Sequence, residues 1–144
     1  MSKDSFRAYC ASTLDTAMSA DHPTVPVKYE NQEFKQPKTL WAEMGIFEVA
    51  PPNHASIGTK TRFHRHYELL AFTVNVPENT GVKTGNDLAQ YLVDLFQDHN
   101  VSMPDKDVVS FKAGRITPNG LSNGFYQLVV TIPLWRDSPK PALS

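Results

Sequence analysis

Apolar residues along this chain change their spacing several times, and each change predicts an element. Phe6, Tyr9, Cys10, Thr13, Leu14, Ala17 and Met18 recur at helical spacing. This predicts a helix of about fifteen residues, started by Ser2 or Asp4 and ended by Asp21, His22 and Pro23. Such a helix is stabilised mostly by docking its apolar face, so a sheet or a neighbouring subunit is expected beneath it. Residues 25–28 predict a short strand in a segment punctuated by Pro26 and Pro37. At 40–49 strict alternation takes over, with Leu40, Ala42, Met44 and Ile46 on one face and Trp41, Glu43, Phe47 and Val49 on the other. Gly45 in that run marks a bulge or a close backbone contact. Residues 62–76 predict the longest strand, with Leu70, Phe72, Val74 and Val76 on one face and Phe63, Tyr67, Leu69 and Ala71 on the other. Its apolar face changes near Glu68, which predicts a bulge there or a strand projecting beyond the sheet at its Arg62 end.

The segments between these runs carry their own signals. Residues 51–61 lack apolar periodicity and contain Pro51, Pro52, Asn53 and Gly58, the pattern of a long flexible loop. After a turn at 77–81, Thr84 and Asp87 stand at capping-box spacing. Leu88, Tyr91, Leu92, Leu95, Phe96 and His99 then form the inner stripe of a second helix, with Gln90, Asp94, Gln97 and Asp98 outside. Residues 108–116 and 125–135 predict two further strands. Two Asn-Gly pairs between them signal turns, although a connection over 117–124 exceeds a minimal hairpin. Residues 136–144, with Pro139 and Pro141, predict a loose tail. The order predicts one α+β domain over 1–144, a mixed or largely antiparallel β-sheet packed against helices. The crossover through the second helix allows two strands to run parallel.

Composition narrows the function classes. The chain has 144 residues, 40% of them hydrophobic, which suits one domain burying about 65–70% of its unfolded surface. Fourteen basic and fifteen acidic residues give a net charge of −1, so neither a polybasic nucleic-acid binder nor an acidic mimic is indicated. Cys10 is the single cysteine, which excludes an internal disulfide and suits a small buried hydrophobe. Polar residues follow Met1 directly and no run of about eighteen apolar residues occurs, so neither a signal peptide nor a membrane span is expected, and folding in a cytosol is.

Candidate chemistry is sparse. His64 and His66, two apart on a strand, would share a face and supply two metal ligands, but Arg62 shares that face and no local third ligand follows. The sequence GVKTGND at 81–87 lacks the spaced glycines and Gly-Lys-Ser/Thr ending of a phosphate loop. No Gly-Xaa-Ser-Xaa-Gly elbow is present, and Asp105 and Asp107 around Lys106 read as a solvated edge. No catalytic residue, metal ligand or cofactor is therefore expected. The charge cluster Lys60, Arg62, His64, Arg65 and His66 is the candidate contact surface, suited to phosphate or an acidic partner. A small ligand-binding or enzymatic domain built on His64 and His66 is the competing class, and it would require a concave pocket.

Four stretches in order, VPVKYENQEF at 25–34 followed by Leu40 and Trp41, FTVNVPENTG at 72–81, DLAQYLVDLF at 87–96 and the late strand at 125–135, make the chain similar to tail terminator proteins of long-tailed bacteriophages. These are minor tail proteins of the virion. The resemblance spans the chain from the first helix to Trp135. It implies a hexameric ring that caps the tail tube, stops its polymerisation and offers a docking surface for head–tail joining. The implied partners are further copies of the chain, the tail-tube protein, a head-completion protein and, non-specifically, DNA passing through the ring, with no membrane. The implied location is the virion tail, and the host cytoplasm during assembly. No enzyme residues are carried over, and Tyr29, Glu30 and Asn31 are assigned a structural role. After Trp41 such proteins often continue with a basic residue, whereas Ala42 and Glu43 follow here. A ring at the head–tail connector is the alternative station.

Overall fold

Alternation at 41–49 and 67–77 and helical spacing at 6–18 and 85–96 determine how this chain builds a sheet with helices on one side. A computed structural model describes the backbone at 3–30, 32–57, 61–102 and 108–140, and the side chains of these residues except at 3–4, 50, 51–57, 61–64 and 138–140. The elements run α1 (Lys3–Asp21), β1 (Val27–Lys28), β2 (Trp41–Ile57), β3 (Thr61–Pro77), α2 (Lys83–Phe96), β4 (Asn100–Ser102), β5 (Val108–Phe111), β6 (Arg115–Ser122) and β7 (Phe125–Lys140). The sheet order is β1-β2-β3-β7-β5-β4, with β6 also on β7. Among the described residues only the β1–β2 pair is parallel, so the sheet is mixed and mostly antiparallel, as the order of elements predicts.

Both helices cover the same face. Phe6, Cys10, Leu14 and Met18 of α1 join Leu88, Ala89, Leu92 and Phe96 of α2 over Met44, Ile46, Leu70, Phe72, Val74, Val130 and Ile132. Phe96 lies between Phe72 and Phe111, with ring centroids 5.6 Å from each. Phe6 reaches the same Phe111 at 6.2 Å. Gly85 allows α2 its close approach, because a Cβ there would stand 2.3 Å from Cγ2 of Val76. The helices meet at Tyr91, whose hydroxyl lies 2.7 Å from Oδ2 of Asp21 and 3.1 Å from the Ala17 carbonyl. Cys10 is buried, and burial followed by the nearby Glu68 charge pushes its thiol well above the ordinary range, so it acts as a hydrophobe.

The expected loop over 51–61 is corrected at 51–57, which is the far half of β2. Residues 53–57 pair with 65–61 of β3 in antiparallel register. The expected tail is likewise corrected at 136–140, where β7 pairs with 66–62. Non-local ladder bonds override the local proline signals here, since proline is tolerated where its missing N–H faces away from a partner. The change of face at Glu68 produces no shift in the β3–β7 register. The irregularities lie in β2, between Glu48 and Ala50 and between Ala50 and Asn53.

Four smaller expectations change. The helix-starting position of α2 is Val82, with no side-chain cap bond, and Asp87 pairs instead with Lys83 at 3.5 Å. The 108–116 strand is broken at 112–114 into β5 and β6. The turn beyond is the minimal hairpin after all: Ser122 pairs with Phe125 around Asn123 and Gly124, whose φ values of 52° and 82° suit a type I′ turn. The earlier Asn-Gly pair forms a bulge, with Gly120 at φ 84°. His99 is exposed rather than part of the inner stripe. Asn31, Lys60, Asp105 and Asp107 lie outside the described residues, as does a cap by Ser2.

Candidate assembly surface

Strands β2, β3 and β7 run on past Glu68, with β5 beside β7 as far as Asp137, and continue beyond Arg65 as a three-stranded arm, so that Arg62 and His64 of the charge cluster expected from the sequence lie on the arm and Arg65 and His66 at its base. Along β3, Arg62 pairs in register with Lys140, His64 with Ser138, Arg65 with Asp137 and His66 with Arg136. The fold therefore brings these four cluster residues onto one strand, while alternation points Arg65 and His66 to opposite faces. Arg65 is already engaged. Its Nε and one terminal nitrogen donate to the two carboxylate oxygens of Asp137 at 2.7 and 2.8 Å. This bond, above all other influences, raises the Arg65 pKa further. The guanidinium carbon also stands 4.7 Å from the centre of the Trp135 ring, and Lys112 Nζ stands 3.6 Å from it. Asp137, Trp135 and Lys112 escaped the sequence reading, because which strand lies beside Arg65 is a long-range fact.

The sheet face away from the helices is mostly open. At one end Phe34 folds over Trp41, 5.1 Å between rings, and Trp41 meets Phe125 edge-on at 6.1 Å. Beyond that corner the floor is of small residues, Gly45, Ala71 and Thr131 in one cross-strand row. The next outward-facing row is Phe47, Leu69 and Pro133. Phe47 lies flat along its own strand, its ring 3.0 Å from where a Gly45 side chain would begin. Phe47 is 57% exposed and Val49 is 64% exposed, a concentration of apolar surface that a sheet margin normally avoids.

The two lateral margins of the sheet differ. On the β2 side, β1 covers Ala42 and Glu43. Glu30 then bends in, so that its Oε1 accepts the Ile46 N–H at 2.8 Å while its other oxygen pairs with Arg7. Arg7 also reaches the Ile46 carbonyl at 3.5 Å. An ion pair thus replaces a missing strand at Ile46, which gives Glu30 the structural role expected of its segment. On the other side β6 has no strand beyond it among the described residues. Its single charged residue is Arg115, which is exposed, whereas the charges of β2 over 41–50 are Glu43 and Glu48.

Two clefts flank Tyr29, one of 230 Å³ beside Asp15, His22 and Pro26 and one of 200 Å³ beside Arg7, Glu30 and Met44. The Tyr29 hydroxyl is buried without a hydrogen-bond partner among the described residues, and burial, then Asp15, raises its pKa. Among the described residues no group of three His, Cys, Asp or Glu side chains is placed to hold a metal ion, and no helix is long and apolar enough to cross a membrane.

A family model described as phage tail terminator protein matches residues 4–134. The sequence has no significant match among curated proteins. By structure, the chain is similar to a solved chain at a TM-score of 0.67, with 16% identity, over 98% of this chain and 99% of the other. At that identity the likeness speaks for the fold alone.

Proposed function

The chain belongs to the phage tail terminator family, and from that premise we propose that it forms a ring, hexameric in number, which caps the tail tube and stops its polymerisation. Membership makes the protein a structural, oligomeric, non-catalytic component of a phage tail that interacts with other tail components. The finer reading adds that one side of the ring docks on the tube and the other receives a head-completion protein, with DNA passing through. The family match over 4–134 carries this reading, because it spans both helices and every strand as far as Leu134.

The arm is the part of the fold suited to docking. It extends beyond the level of Arg65 and Asp137, where β5 stops, and carries Arg62 and His64, with Arg65 and His66 at its base and Lys60 next in sequence. A charged, projecting segment on a rigid sheet steers encounter with an oppositely charged partner without weakening the core. In the test, purified protein is added to polymerising tail-tube protein and tube lengths are measured by electron microscopy. Growth should stop, with a ring visible at the tube end. Tubes that grow unchanged would overturn the capping role, and binding to head-completion protein alone would move the ring to the connector.

A further inference from the structure

We propose that residues 32–40 form a strap that opens, and that Phe34 is an internal occupant of a site on Trp41 that takes an aromatic side chain from a partner segment in its place. This goes beyond the ring reading above and does not rest on it.

The strap is pinned at its ends and lightly held between them. Before it, Glu30 accepts the Ile46 N–H at 2.8 Å, and after it Leu40 packs against the core and Trp41 begins β2. Residues 32–40 themselves form no helix or strand, and among the described residues no hydrogen bond or ion pair involves them. Gln32, Glu33, Lys35, Gln36, Lys38 and Thr39 are exposed. Phe34 is the half-buried exception near the middle, its ring centroid 5.1 Å from that of Trp41 with 33° between the planes. A segment with no backbone bonds to break and little apolar surface to expose opens at low cost while the rest of the domain stays folded.

What lies beneath is built as a site. Trp41 stands outside the main core cluster, on the sheet face away from the helices, yet it is only 7% exposed. Phe125 meets it edge-on at 6.1 Å, and beside it in the same cross-strand row stand Asn75 and Gln127, bonded to each other at 3.0 Å. Those two amides are engaged, but the Trp41 Nε1–H is buried with no partner among the described residues. The closed state therefore bears an uncompensated desolvation cost.

The present occupant defines the ligand. Phe34 is an aromatic residue in an otherwise polar segment, so a partner of the same chemistry replaces it ring for ring. A main-chain carbonyl brought in beside that ring would accept the Trp41 N–H, which Phe34 leaves unpaired, and so favours the exchange. Because the internal ring competes, the partner's apparent affinity is its intrinsic affinity scaled by the fraction of open strap. Removing Phe34 should thus strengthen binding.

Trp135→Phe leaves Trp41 as the single tryptophan and makes its fluorescence the readout. In that background Phe34→Ala should shift Trp41 emission to the red and increase its quenching by acrylamide, while circular dichroism and the urea midpoint check that the domain remains folded. N-acetyl-phenylalaninamide should reverse both changes, and it should bind the protein that keeps Phe34 more weakly. Trp41 that stays shielded in Phe34→Ala would overturn the strap. A signal that the aromatic amide leaves unchanged, or that N-acetyl-leucinamide reverses equally well, would overturn the aromatic site. Should Phe34→Ala fail to fold, hydrogen exchange at the Trp41 indole N–H in protein with Phe34 intact decides the matter. Local opening gives a rate that low urea does not change, whereas a rate rising with urea as steeply as global unfolding would overturn the proposal.

Discussion

Arg136 Nε donates to Glu68 Oε1 at 3.1 Å, across the β3–β7 ladder, with both side chains about 97% buried beneath the first turns of α1. The pair stands beside the core, where Val109 of β5 pairs with Arg136, and Arg136 also lies 5.7 Å from the Phe6 ring. Removing one charge from such a pair leaves the other desolvated. Arg136→Met is expected to cost about 3–5 kcal/mol in urea unfolding, whereas Arg136→Met with Glu68→Leu should recover most of the loss. Equal losses in the single and double variants would show that the charges do not compensate one another.

The seat of α2 on the sheet predicts a pair of effects of different origin. Leu92 is fully buried, and Leu92→Ala should cost about 2–5 kcal/mol through lost burial and the cavity left behind. Gly85→Ala would ordinarily favour a helix by about 1 kcal/mol. Here the new methyl meets Cγ2 of Val76 at 2.3 Å, so the substitution should destabilise instead. Gly85→Ala combined with Val76→Ala should partly relieve that clash, as denaturant midpoints would report.

Tyr91 should make the contact between the helices sensitive to alkali. Burial, then its bond to Asp21, pushes the phenol from an ordinary value of 10.0 up to about 12. The folded protein holds this proton more tightly than the unfolded chain, so the stabilisation is complete below about pH 10 and is lost as pH rises toward 12. Comparing thermal midpoints of wild type and Tyr91→Phe across that window, the fall with pH should be steeper in wild type. Parallel curves would remove Tyr91 as the cause.

Charge reversal on the arm should separate docking from folding. Arg62→Glu is expected to leave the fold intact and weaken capping of tail tubes, in a manner that depends on salt. Arg65→Glu is a poorer probe of docking, because it sets a second carboxylate against Asp137 and removes a cation from Trp135. It should lower the melting temperature as well. Circular dichroism and tube lengths by electron microscopy read the two effects, and an Arg62→Glu protein that caps as well as wild type at physiological salt would remove Arg62 from the docking surface.

Sequence by itself determined the local features of this protein. The alternation of Ala42, Met44 and Ile46 and of Leu70, Phe72, Val74 and Val76 named the buried faces correctly, since a side chain's face on a strand depends only on its place in a period of two. The spacing of Phe6, Cys10, Leu14 and Met18 did the same for α1. Four quoted stretches also carried the family. Tertiary structure decided what depends on partners distant in the chain. Proline-rich residues 51–57 and 136–140 became strands because β3 lies between them and completes their ladders. Arg65, which reads as a free charge in sequence, is held by Asp137 seventy-two residues away. Asn123 and Gly124 became a minimal hairpin because β6 continues to Ser122 along β7. Side-chain periodicity is a property of a few consecutive residues, whereas strand pairing and charge compensation arise only when distant segments are brought together, and no local pattern records which segments those are.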